Sequence, residues 1–266
     1  MEGGHDFMEQ ILKCATTASK IASSIIMQSF KKVTVEYKDI NNLVTKADLD
    51  SEKAITECIK NEFPTHDILG EEFTSNASLM SENLWIIDPL DGTNNYSNDI
   101  PHFSISIAFA QKGNVKMGLI YDPCRDECFT AISGTGSYLN GEQIHVSPKS
   151  EISHAMVATG FYYDRSEIME KTLNTIHSLF IYKIRGIRRM GSAALDLAWT
   201  SCGRYDAYFE YFLSPWDFAA GMLILEEAGG ICCNKYGGEI SMESEGIIAT
   251  NKNLHDELTS YIQIKK

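Results

Sequence analysis

Four apolar residues, Leu84-Trp85-Ile86-Ile87, run directly into Asp88-Pro89-Leu90-Asp91-Gly92-Thr93. No other stretch constrains the fold as much. A short run that is apolar at successive positions reads as a buried strand. Pro89 has no N–H to give to a ladder, so the strand is expected to stop there. The chain then emerges on a turn that carries two carboxylates. Gly92 lets the backbone approach a ligand closely, and the successive N–H groups of Gly92, Thr93 and Asn94 suit an anion. Hard cations take oxygen ligands, and Mg²⁺ is commonly held by one or two carboxylates together with substrate phosphate. The Leu90 carbonyl can add another oxygen. The pattern D-x-x-D also describes an ordinary polar turn, and alone it does not separate the two readings.

The rest of the chain supplies helices and further strands. Phe7, Ile11, Ala15, Ala18, Ala22, Ile25 and Ile26 recur at helical spacing, with Asp6 and Glu9 placed as a capping box. A second helix is expected from Asp48 or Asp50 to Glu62, with Ile55, Cys58 and Ile59 inward and Pro64 beyond its end. Residues 104–110 and 115–121 read as strands joined by Lys112-Gly113-Asn114, and Asn140-Gly141 marks another tight turn. Gly134-Thr135-Gly136 reads as a hairpin and not a nucleotide loop. From about residue 150 the texture alternates. Strands are expected at 156–159, 205–211, 231–234 and 247–250, and helices at 166–180, 192–201, 215–228 and 255–264. Pro215 opens and Gly229-Gly230 closes one of these helices. Hairpins first and alternation later imply layered sheets and helices.

The chain has 266 residues, 44% hydrophobic and 22% charged, enough for a substantial core. One continuous body over residues 1–266 is expected, with an α+β half to about 145 and an α/β half from about 146. A net charge of −13 argues against direct contact with nucleic acid. An acidic chain handling an anionic substrate also needs bridging cations. The seven cysteines are odd in number, and Cys124 and Cys128 lack a second ligand pair. Reduced thiols in a cytoplasmic protein are expected. No apolar run approaches the ~20 residues of a membrane span.

Other acids each admit a plain reading. Glu71 follows the apolar Ile68-Leu69-Gly70. Asp217 falls in the first turn of the helix opened by Pro215, where it would complement the helix dipole. Asp48 fits a helix cap. The histidines are scattered without ligand spacing, and none is assigned a role.

Taken together, Gly70-Glu71-Glu72, Trp85 to Thr93 and Pro215-Trp216-Asp217-Phe218-Ala219-Ala220-Gly221 resemble the signatures of the inositol monophosphatase family. The likeness extends to Asn42-Leu43-Val44-Thr45-Lys46-Ala47-Asp48, to Gly191-Ser192-Ala193-Ala194-Leu195-Asp196 and to Asp206-Ala207-Tyr208-Phe209-Glu210. These motifs occur in order over roughly residues 6–260, and their combination resembles the bacterial type within the lithium-sensitive phosphatases.

The resemblance implies an α+β fold, a layered αβαβα sandwich shared with fructose-1,6-bisphosphatase. It implies two or three Mg²⁺ ions. Glu71, Asp88 and the Leu90 carbonyl would hold one; Asp88, Asp91 and Asp217 a second; a third would sit near Glu71. Glu71, Leu90, Asp91, Gly92, Thr93 and Asp217 would border the substrate, its phosphate lying on Gly92 and Thr93. Arg188, Gly191, Ser192, Ala193 and Glu210 would face its alcohol. Catalysis would fall to Glu71, Thr93 and Asp48, a metal-side water attacking in line. The family also implies a homodimer. The expected substrate is myo-inositol 1-phosphate, with fructose 1,6-bisphosphate, histidinol phosphate and 3′-phosphoadenosine 5′-phosphate as rivals. A non-catalytic partnership with the transcription machinery is the other class of function. The sequence departs from animal members at Ser214, where they carry histidine, and in Gly160-Phe161-Tyr162-Tyr163-Asp164, which lacks the serine lining their inositol pocket.

Overall fold

The apolar run is a buried strand, and it does not stop at Pro89. The computed structural model describes residues 2–31, 35–39, 42–73, 77–161, 165 and 167–265. In it the strand spans Leu84–Asp91 with every residue buried. It pairs antiparallel with Ser104–Gln111, Asp88 lying opposite Ser106 and Asp91 opposite Ser104. Pro89 and Leu90 therefore face the single residue Ile105, which makes a β-bulge. The missing N–H of Pro89 is tolerated because the ladder is already interrupted there.

The bulge has a chemical consequence. Side chains alternate across a strand, so residues three apart ordinarily point to opposite faces. One inserted residue reverses that, and Asp88 and Asp91 come to share a face. Leu90 packs with the core on the other side.

In chain order, α1 (Glu2–Ser29), the ribbon of β1 (Val35–Asp39) and β2 (Asn42–Thr45), and α2 (Lys46–Glu62) come first. Next are β3 (Asp67–Gly70), β4 (Leu84–Asp91) and the short α3 (Thr93–Ser97). A meander follows through β5 (Ser104–Gln111), β6 (Asn114–Asp122), β7 (Glu127–Ile132), β8 (Ser137–Leu139) and β9 (Glu142–Ile144). Then come β10 (Met156–Thr159), α4 (Glu167–Ile181), β11 (Gly186–Arg188) and α5 (Ala193–Ser201). The chain closes with β12 (Ala207–Glu210), α6 (Pro215–Glu227), β13 (Ile231–Asn234), β14 (Ile247–Thr250) and α7 (His255–Ile262).

Strands β3 to β9 form one seven-stranded sheet in sequence order, parallel at β3–β4 and antiparallel beyond. A five-stranded sheet runs β11-β10-β12-β14-β13, parallel across its first three strands. One face of the large sheet, with Trp85, Ile87, Ile105 and Phe109, packs on Ile11 and Ala18 of α1 and Ile55 and Ile59 of α2. Its other face, with Ile86, Ala108 and Ile120, packs on Leu195 of α5 and Ala220 and Ile224 of α6. The far side of those helices, with Leu197, Phe218 and Leu225, meets Ala158, Tyr208 and Ala249 of the second sheet. That sheet's outer face carries α4 and α7. The layer order is αβαβα, as the resemblance implied. Helix α6 is rich in apolar residues on every side because it lies between two sheets.

Three further expectations change: helix α2 begins at Lys46, with Thr45 and not Asp48 at its cap. Helix α1 begins at Glu2, so Asp6 lies within it and does not cap it. The strand expected over 205–211 is the shorter β12. All seven cysteines are free. Among the described residues no helix is long and apolar enough to cross a membrane.

Phe109 is fully buried, its ring 5.3 Å from Trp85 and 6.0 Å from Phe7. Phe109→Ala is expected to cost about 3–5 kcal/mol, read as a lower urea midpoint. A loss below about 1 kcal/mol would contradict this packing account.

Candidate active site

The face shared by Asp88 and Asp91 looks toward α5 and α6. Asp217 enters from the first turn of α6, and Glu71 from the residue after β3. These four, with Leu90, line one cavity of about 260 Å³ between the large sheet and the second half of the chain. Gly92 and Thr93 border it, as do Gly191, Ser192, Ala193 and Glu210. The local sequence explains the turn. Gly92 adopts φ +100°, and a Cβ there would stand 3.2 Å from the carbonyl oxygens of both Gly191 and His102.

Each aspartate is fixed by hydrogen bonds from its surroundings. Asp88 Oδ1 accepts from the Leu90 N–H at 3.0 Å. Asp217 Oδ2 accepts from the Ser214 N–H at 2.6 Å, so the serine that replaces histidine sits at the helix entry. Asp91 Oδ2 accepts from the Ser192 hydroxyl at 2.5 Å and the Ala194 N–H at 2.8 Å. Asp91 thereby caps α5 from another element. Asp48 does not line the cavity. It stands behind Thr93, taking that hydroxyl on Oδ1 at 3.0 Å and the Thr45 N–H on Oδ2 at 2.9 Å. The Thr93 hydroxyl also lies 3.1 Å from the Leu90 carbonyl.

Crowding raises the proton affinity of this group. Burial, then Glu72, Asp48 and Asp91 push the Glu71 carboxyl up to about 8, against an opposing hydrogen bond with Asp88. Burial first and neighbouring carboxylates second hold Asp88 and Asp217 well above the ordinary carboxylate range. Asp48 is raised to about 6, chiefly by burial. Hard oxygen donors that repel one another across a shared space suit a divalent cation. Among the described residues no group of three or more His, Cys, Asp or Glu side chains is arranged to hold a metal ion by itself. Mg²⁺ does not ask for one, since it keeps waters and shares substrate oxygens.

Glu210 ends β12, and its Oε2 accepts from the Tyr208 hydroxyl at 2.7 Å. Arg188 does not line the cavity. Its guanidinium turns back to the Ile187 carbonyl at 2.9 Å, and Arg189 lines the cavity instead. Arg188 is the last residue of β11, and Arg189 lies just beyond the strand. Of the segment 160–164, Gly160 and Phe161 border the cavity, and residues 162–164 lie outside the described residues.

Three positions carry weight without having been assigned a site role. Glu52 of α2 accepts the Glu72 N–H at 2.8 Å and the Phe73 N–H at 2.9 Å, fixing the loop that presents Glu71. Asn95 donates to the carbonyls of His102 at 2.7 Å and Met190 at 2.8 Å, tying α3 to the Gly191 turn. Asp196 of α5 is buried and lines the cavity. Only an acid spaced one helical turn from the Ser192 cap hinted at the last.

A five-layer fold with a carboxylate-lined cavity at a bulged strand defines the class. Residues 8–266 match the inositol monophosphatase family, and the chain belongs to it. Nus factor SuhB of Pseudomonas aeruginosa is 38% identical over 263 residues, covering 96% of this chain and 97% of that protein. Inositol monophosphatase 2 of Solanum lycopersicum is 40% identical over 256 residues, covering 94% and 96% respectively. The solved inositol monophosphatase of Anabaena (Nostoc) matches with a TM-score of 0.86 at 38% identity, covering 96% of this chain and 95% of that one.

The raised carboxyls set a pH dependence. A carboxyl whose folded pKa exceeds its unfolded value favours folding while protonated, and that contribution is lost as pH rises through the folded pKa. For Glu71 and Asp48 the loss falls between their ordinary values of 4.5 and 3.8 and their folded values of about 8 and about 6. In chelator, the thermal midpoint is expected to fall from about pH 5 to about pH 8, and the midpoint gain on adding Mg²⁺ to be larger at the higher pH. A gain that is equal at both, or absent, would contradict the arrangement.

Proposed function

We propose that the protein hydrolyses the phosphate monoester of a small polyol, myo-inositol 1-phosphate first among them, to the free alcohol and inorganic phosphate. The supporting observation is the placement of Asp88 and Asp91 on one face by the bulge, with Glu71 and Asp217 brought to the same cavity. Membership of a family that is Mg²⁺-dependent in general supports it too.

In this reading Glu71, Asp88 and the Leu90 carbonyl would hold one Mg²⁺, and Asp88, Asp91 and Asp217 a second, with a third near Glu71. When bound, Mg²⁺ polarises the phosphoryl group, acidifies attached water and neutralises the leaving oxygen. The chain's own residues position the reactants. The N–H groups of the first turn after Gly92 have no partner within α3 and meet the phosphate. Thr93 orients the attacking water and passes its proton toward Asp48, 3.0 Å from the threonine hydroxyl. The water oxygen bonds to phosphorus as the ester P–O bond breaks. The leaving alkoxide takes a proton from a solvent water, and the proton passed toward Asp48 returns to solvent. Water and the monoester dianion thus give the free alcohol and hydrogen phosphate. No covalent phosphoenzyme forms. Gly191, Ser192, Ala193 and Glu210 receive the alcohol. Positioning and charge stabilisation then carry the catalysis, as in phosphoryl transfer generally. The protein is proposed to act as a cytoplasmic homodimer.

Asp88→Asn is expected to lower kcat on myo-inositol 1-phosphate by at least about 10³-fold with the fold retained. Most activity surviving, or turnover persisting in excess chelator, would overturn the site. Initial rates on fructose 1,6-bisphosphate, histidinol phosphate and 3′-phosphoadenosine 5′-phosphate test the choice of alcohol.

The name Nus factor carried by the Pseudomonas relative favours a second reading, a binding role in the transcription machinery. Transcription proteins retained by the Asp88→Asn variant as by the wild type would support that role. Retention by neither would count against it.

A further inference from the structure

Asp196 is 1% exposed and lines the cavity one turn into α5. An acid in a helix's first turn ordinarily bonds the free N–H groups there. Here those groups are taken. Ala193 and Ala194 donate to Asp91, Leu195 donates to the Ser192 hydroxyl, and the Asp196 N–H itself goes to the Ser192 carbonyl. The Asp196 Oδ1 is left without a hydrogen-bond partner among the described residues. Its surroundings reach it only through burial and the charges of Asp91, Glu210 and Arg189. A buried carboxylate without a donor is costly, and a ligand donor removes that cost.

The neighbours show what kind of ligand would supply one. The Arg189 charge acts on both Asp196 and Glu210, yet among the described residues it forms no ion pair with either. Two acceptors and one donor thus stand around the same space without satisfying one another. A hydroxyl donates one hydrogen bond and accepts others, so adjacent hydroxyls of a neutral polyol can bridge all three. An ester lacking hydroxyls leaves Asp196 unpaired.

We infer that Asp196 is a specificity residue that accepts a hydrogen bond from a hydroxyl of the substrate's alcohol, beside the hydroxyl held by Glu210. This rests on the phosphatase reading above and narrows its substrates to monoesters with a hydroxyl near the ester carbon. Other roles for a buried acid would weaken every substrate alike.

The test compares wild type, Asp196→Ala and Asp196→Asn on myo-inositol 1-phosphate and on phenyl phosphate, with Mg²⁺. In the alanine variant the ratio of kcat/KM on the polyol ester to that on the phenyl ester is expected to fall about 10- to 100-fold, mainly through KM. Asparagine keeps an acceptor oxygen and should fall between. Equal loss on both esters, or an unchanged ratio, overturns the inference. If the alanine variant does not fold, the asparagine variant carries the same comparison. Calorimetric binding of myo-inositol 1-phosphate separates the two claims. Binding without hydrolysis, weakened in the variants, sinks the phosphatase reading and keeps Asp196. Hydrolysis with an unchanged ratio does the reverse.

Discussion

Mutual repulsion among buried carboxylates is the constraint around which this molecule is arranged. Glu71, Asp88, Asp91 and Asp217 border one cavity, and the other three each raise the proton affinity of Asp88. Such a group does not gather by itself. It is held because every acid comes from a different local device: a loop after β3, either end of a bulge, and the first turn of α6. The hydrogen bonds that fix the aspartates come from surroundings that are themselves packed between two sheets. Separation of scaffold from chemistry lets the core stay apolar while its edge stays charged.

Much of this was readable in advance, and the reasons differ by element. Strong periodicity marked α1 and α2, and turn chemistry marked the hairpins at Lys112-Gly113 and Asn140-Gly141. The five-layer order followed from resemblance, since pairing across distant strands leaves no local mark. Strand β3, strand β7, the three-residue β11 and the five-residue α3 went unanticipated. Three of them have five residues or fewer, and β3 and β11 pair in parallel across an intervening segment, which leaves no turn signal in the sequence.

The site shows a similar division. Residue types named the acids, but only the ladder between β4 and β5 explains how Asp88 and Asp91 meet. Pro89 looked like a strand terminator and is instead part of a bulge. The resemblance assigned Arg188, whose guanidinium turns back to the Ile187 carbonyl, while Arg189, just beyond β11, lines the cavity. Glu52 and Asn95 hold the loops of others, a function with no signature of its own.

Asp91 also closes a thermodynamic circuit. It belongs to the acidic cluster, yet it caps the helix that carries Ser192 and Asp196 to the cavity. Whatever steadies this carboxylate from one side steadies the helix on the other. Such coupling is reciprocal: on the proposed function, an alcohol that tightened α5 would strengthen ion binding by the same factor by which ions would strengthen alcohol binding. One shared side chain would then make two recognition events into a single equilibrium.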